Sequence, residues 1–119
     1  MFTRPVVTVE NEPWQPPAAL AGAKGTFAGV FDGNTGELSW RITYERMGSP
    51  ALVLADVHLG PSGRFGPIIV RLCGPCTSGQ EGVVRVERFV SDLINGNSWV
   101  TVKTGDYPNG VIRGQITVR

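Results

Sequence analysis

Cys73-Gly74-Pro75-Cys76 carries the two-residue cysteine spacing of redox-active dithiols. A reactive thiolate in that arrangement needs a helix beginning at the first cysteine, whose dipole stabilises the negative sulfur. Here Thr77-Ser78-Gly79 follows with no helical continuation, and no strand–helix–strand pattern surrounds it. The structural alternative is a local disulfide that pins the loop after a strand ending at Leu72. Closing so short a loop is worth about 2 kcal/mol by the chain-entropy account. Two free thiols come third. We favour the disulfide, which implies an oxidising compartment.

Asp56 and His58 lie two residues apart in an extended run, so both project from one face of their strand. A carboxylate and an imidazole on one face can form an acid/base pair or part of a metal site. Buried beside Leu52 and Leu54 each needs a partner to offset desolvation, and a paired anion with a satisfied structural histidine is the commoner outcome. Lys103 and Arg113 fall within the last two apolar runs. Each is either solvent-exposed or turned inward, and an inward cation requires a counter-charge. Asp56 is the leading candidate; Asp106, Glu45 and Glu87 are weaker ones. No serine nucleophile elbow, phosphate loop or metalloprotease helix motif occurs. A single histidine argues against a conventional zinc or copper site, so no metal and no cofactor are expected.

The elements that must position these residues are strands. Leu38, Trp40, Ile42 and Tyr44 alternate with Ser39, Arg41, Thr43 and Glu45, the pattern of a half-buried antiparallel strand over Glu37 to Met47. Asp32-Gly33-Asn34-Thr35-Gly36 tolerates positive φ and joins it in a hairpin to a strand over Lys24 to Phe31. Further strands are expected at Ala51 to Leu59, Pro67 to Leu72, Ser98 to Thr104 and Val111 to Val118. The last two are joined through a turn at Gly105-Asp106-Tyr107-Pro108-Asn109-Gly110. Val86, Phe89, Val90, Leu93 and Ile94 have helical spacing, which predicts one short helix over residues 87–95 stopped at Gly96. Val6 to Val9 reads as an edge strand, broken from the rest by Trp14-Gln15-Pro16-Pro17. The chain thus divides into residues 1–20, an edge strand with a Pro-rich segment, and a β-rich domain over residues 21–119.

With 119 residues, 41% hydrophobic and 18% charged, the chain is sized for one domain with a real core. Its net charge of +1 shows no basic excess for nucleic acid. No apolar run approaches the ~18 residues of a membrane helix. Met1-Phe2-Thr3-Arg4-Pro5 does not read as an intact signal peptide. Short strands with Gly/Pro turns predict an all-β sandwich or barrel.

In order and spacing the chain resembles the CHRD domain, the chordin-type module of secreted and surface proteins. The matching pieces are Gly25 to Phe31, Thr35-Gly36-Glu37-Leu38-Ser39-Trp40, Ala55-Asp56-Val57-His58-Leu59-Gly60 and Gly66-Pro67-Ile68-Ile69-Val70-Arg71-Leu72. They continue with Gly96-Asn97-Ser98-Trp99-Val100-Thr101-Val102-Lys103-Thr104 and Tyr107 to Ile116. The resemblance implies an antiparallel Greek-key β-sandwich, immunoglobulin-like or superoxide-dismutase-like, with Arg113 turned inward and no agreed activity. Where the family reads His-x-His this chain has Asp56-Val57-His58. Where it reads His-Thr this chain has Lys103-Thr104, and Val111 replaces a Glu. If positions 56 and 103 face each other, a His/His pair has become Asp⁻/Lys⁺, which keeps a polar contact and discards metal affinity.

The expected function is therefore a non-catalytic binding or structural module, extracytoplasmic or secreted, with a cytoplasmic address as the less favoured alternative. Its ligand would be a protein or small molecule, and a homo-oligomer joined through a strand edge is compatible with it. The alternative is a small-molecule pocket or enzyme built on Asp56, His58, Lys103, Arg113 and Tyr107.

Overall fold

The computed structural model describes residues 3–8, 17–48, 50, 52–60 and 66–118. Strand β1 (Thr3–Thr8) leads, and a single 3-10 turn at Ala18–Leu20 follows. The hairpin expected around Asp32 to Gly36 joins β2 (Lys24–Asp32) to β3 (Glu37–Glu45), in register from Lys24 opposite Glu45 to Asp32 opposite Glu37. Its turn closes as its residue types require. Asp32 Oδ1 accepts the Asn34 N–H at 2.8 Å, and Gly36 takes φ 76°. The alternation in β3 holds: Leu38, Trp40 and Ile42 are buried and Ser39 and Arg41 exposed.

β4 (Val53–Leu59), β5 (Ile68–Cys73), β7 (Ser98–Thr104) and β8 (Ile112–Val118) fall within or close to their expected runs. β6 (Glu81–Arg85) was not anticipated, because a five-residue run of Glu, Gly, Val, Val and Arg carries little apolar signal. The pairing order is β5-β4-β7-β8-β1-β2-β3-β6, antiparallel throughout. β8 belongs to both layers. Its residues Ile112 to Gln115 pair with β7, and Ile116 to Val118 pair with β1. The chain crosses between layers after β3, β5 and β6, giving an antiparallel β-sandwich. Between the layers, Phe27, Phe31, Leu38, Trp40 and Ile42 meet Val53, Ala55, Val57, Val100, Val102 and Ile112 in one apolar core.

Two expectations are corrected. β1 is not an edge strand, because it lies between β2 and β8. The helix α1 (Val90–Ile94) is shorter than residues 87–95. Val86 is still tied to the β3 hairpin, its N–H donating to the Gly36 carbonyl at 2.8 Å, and Phe89 enters the helix at a left-handed φ of 57°. The helical spacing is genuine only for its last turn, where Leu93 is fully buried and Gly96, at φ 76°, stops the helix as expected. Val9, Trp14, Gln15, Pro16 and Ala51 lie outside the described residues.

Candidate functional site

Strand alternation puts Val53, Ala55 and Val57 of β4 into the apolar core, so Asp56 and His58 point from the opposite face. On β7, Val100 and Val102 face the core while Trp99, Thr101 and Lys103 share the face of Asp56 and His58. On β8, Ile112 faces the core and Arg113 the other side. That second face is as dry as the first: Asp56, Trp99 and Thr101 are 0% exposed, His58 1%, Arg113 4% and Lys103 7%. Every residue of β7 is buried, on both faces. The inward expectation for Arg113 is met as burial, on the face turned away from the apolar core.

Register decides who meets whom. β4 and β7 align Asp56 with Thr101, which brings Lys103 diagonally within reach. Lys103 Nζ donates to Asp56 Oδ2 at 2.9 Å. From the other side β5 aligns Arg71 with Asp56, and Arg71 Nε and Nη2 donate to Oδ1 and Oδ2 at 2.8 and 3.2 Å. Asp56 is thus the shared anion of two cations. Burial alone would raise its pKa, but the hydrogen bonds and charges of Arg71 and Lys103 outweigh that and hold the carboxyl below its ordinary value. Asp56 raises Arg71 in turn. The weaker counter-charge candidates are used elsewhere on the surface: Glu45 pairs with Lys24 at 3.1 Å and Glu87 with Arg85 at 3.7 Å.

His58 lies opposite Trp99, and the two rings stack at 4.1 Å with 9° between planes. From β8, on the other side of Trp99, the Arg113 guanidinium lies 4.3 Å from the indole centre, a cation–π contact. Arg113 Nη2 also donates to the Asn109 carbonyl at 3.3 Å. His58 Nδ1–H donates to the Gly66 carbonyl at 2.7 Å, which fixes the tautomer. Gly66 can approach because it has no side chain: a Cβ there would overlap the Leu59 backbone carbonyl. Burial lowers the His58 pKa. The Gly66 hydrogen bond and Asp56 oppose that, and Lys103 and Arg113 add to it, so the ring is held neutral.

Cys73 and Cys76 form a disulfide, with S–S 2.05 Å. Cys73 ends β5, and the next residues bend without forming a helix. The loop is fastened on two sides. The Cys76 N–H donates to the Val53 carbonyl at 2.8 Å, and the Tyr44 hydroxyl donates to the Cys76 carbonyl at 2.9 Å. Tyr107, in the β7–β8 turn, is half-buried and packs against the apolar core. Arg113 borders an apolar crevice between the layers lined by Phe27, Ile42, Val100, Val102 and Ile112, and Cys76 borders an open one with Tyr44, Met47 and Val53.

The CHRD domain family matches residues 6–116, nearly the whole chain. This chain belongs to the CHRD domain family. No curated protein and no solved structure matches it. In this CHRD domain the contact inferred for positions 56 and 103 is a direct ion pair. Both Asp56 oxygens are occupied by cationic donors and His58 Nδ1 by a carbonyl. Among the described residues no three His, Cys, Asp or Glu side chains stand together to hold a metal. Two participants escaped the sequence reading. Arg71 lies in the expected strand Pro67 to Leu72 and is the one charge in Ile68–Cys73, but nothing local pairs it with Asp56. Trp99 lies in the expected strand Ser98 to Thr104, but nothing local places its ring between an imidazole and a guanidinium. No helix among the described residues is long and apolar enough to cross a membrane.

Proposed function

We propose that this CHRD domain is a non-catalytic binding or structural module of a secreted or surface protein. The observation that carries the reading is the state of Asp56. A buried carboxylate that already accepts from Arg71 and Lys103 has neither a free lone pair directed at a substrate nor a raised pKa suited to moving a proton. His58 and Trp99 extend the same packed layer, so the chemistry-bearing side chains act as scaffold. The disulfide supports an address outside the reducing cytoplasm. Loops and strand edges then remain as the surfaces for partners.

The test separates scaffold from site by stability. Lys103→Met leaves Asp56 buried with only a half-exposed partner, and it is expected to lower the unfolding free energy by about 3–5 kcal/mol in urea titration. Arg71→Ala removes a partner whose side chain is 51% exposed, and about 1 kcal/mol is expected. The double change Asp56→Asn with Lys103→Met is expected to recover part of the Lys103→Met loss, because no uncompensated charge remains. An unchanged midpoint for Lys103→Met would detach the pair from the scaffold and sink the reading.

A further inference from the structure

Among the described residues the pairing order leaves β5 and β6 with one strand neighbour each. β6 pairs with β3 in a register that sets Val83 opposite Ser39. Just before β6 the Gln80 carbonyl accepts the Ile42 N–H at 3.0 Å, and just after it the Val86 N–H donates to the Gly36 carbonyl at 2.8 Å. Even-numbered residues therefore turn their backbone groups toward β3. By antiparallel alternation Glu81, Val83 and Arg85 turn theirs toward the open side of the strand. The side chains of these three residues are also the exposed ones of β6, and Val83 is 61% exposed, well above Val30, Leu52 and Ile68.

We infer that β6 is an interface for a second copy of this chain, paired antiparallel about a two-fold axis at Val83. Backbone, charge and shape agree on that register. Centred at Val83, the pairing matches Val83 with itself and residue 81 with residue 85, so the outward N–H and C=O of all three odd residues meet counterparts. It sets Glu81 opposite the partner's Arg85 and Arg85 opposite the partner's Glu81, two opposite-charge cross-strand pairs. Val83 meets the partner's Val83, covering the most exposed large hydrophobic side chain of the described residues. Charged edge residues ordinarily discourage strand addition. Here the edge is its own charge complement. The ion pairs that Glu81 and Arg85 make within the chain, with Arg41 at 4.0 Å and Glu87 at 3.7 Å, are long and exposed, so they compete weakly. β5 lacks this property: its one charge, Arg71, is held by Asp56, and register shifts interrupt its pairing with β4. The pairing does not depend on the Asp56 cluster, so a failure here would leave the proposed function untouched.

The experiment is sedimentation velocity over a concentration series from about 10 μM to about 1 mM, the range suited to a small interface. The wild-type chain is expected to pass from monomer to a closed dimer. Glu81→Arg and Arg85→Glu each bring like charges together, and each is expected to weaken self-association at least about tenfold. Mixed in equal amounts, the two variants are expected to form a heterodimer, since one supplies two arginines and the other two glutamates. Val83→Pro removes an N–H that β3 does not use, so it is expected to stay folded by thermal unfolding and to lose the dimer. A monomeric wild type at the highest concentration would overturn the inference. So would charge variants that associate as the wild type does, or open-ended oligomers, which would seat β6 on β5.

Discussion

His58 is the only histidine of the chain, so a stability change between about pH 5 and 7 has one natural source. Its folded-state pKa lies below the ordinary value because it is buried, so on acidification the unfolded chain takes up the proton first. The stability it contributes is complete above about pH 6.5 and is lost as pH falls from there toward the folded value. Thermal unfolding is therefore expected to show a midpoint that falls from pH 7 to pH 5. His58→Phe, which keeps a ring against Trp99, is expected to flatten that slope. The variant also leaves the Gly66 carbonyl unpaired, at a cost of about 1–3 kcal/mol. A slope unchanged by the substitution would place the titrating group elsewhere. Asp56 acts at lower pH. Its contribution is complete above about pH 3.9 and is lost as pH falls through its lowered folded value. That Asp56 and His58 share a face was legible, because a period of two needs only the local chain. That Arg71 joins them was not, since it depends on the alignment of β5 with β4.

At the scale of elements, the β3–β6 contact shows how a weak sequence signal is made definite by its neighbour. Gly82 lies opposite Trp40, and a Cβ there would approach the indole ring to 2.7 Å. The ring is buried at 5% exposure and has little room to yield. Gly82→Ala is expected to destabilise the fold by about 1–3 kcal/mol in urea titration. The exposed Val83→Ala control is expected to stay within about 0.5 kcal/mol. Equal effects would show that Trp40 repacks freely. Glycine weakens a strand reading from sequence, yet here its lack of a side chain is what admits β6 beside Trp40. α1 shows the reverse error. Val86 and Phe89 carry helical spacing, but a hydrogen bond to Gly36 holds one in extended chain and a left-handed backbone turns the other.

On the scale of the whole molecule, the two layers are joined by β8 and fastened near the opposite edge by the disulfide loop. Cys76 bonds to β4 in one layer, and Tyr44 of β3 in the other donates to its carbonyl. Replacing both cysteines by serine is expected to lower the unfolding free energy by about 2 kcal/mol while the fold is kept. Reductant is expected to shift the wild-type melting midpoint downward and leave the double variant unmoved. A reductant-insensitive wild type would show that the loop is held by its hydrogen bonds alone.

By itself the sequence determined the all-β class, the two hairpins, the strand alternation and the cysteine pair, because each is written in residues near one another along the chain. Tertiary structure alone decided that β1 lies inside the sheet, that β6 exists, and that Asp56 is shared between Arg71 and Lys103. Those outcomes depend on register between distant strands, and a strand shifted by one residue would send every side chain to the other face.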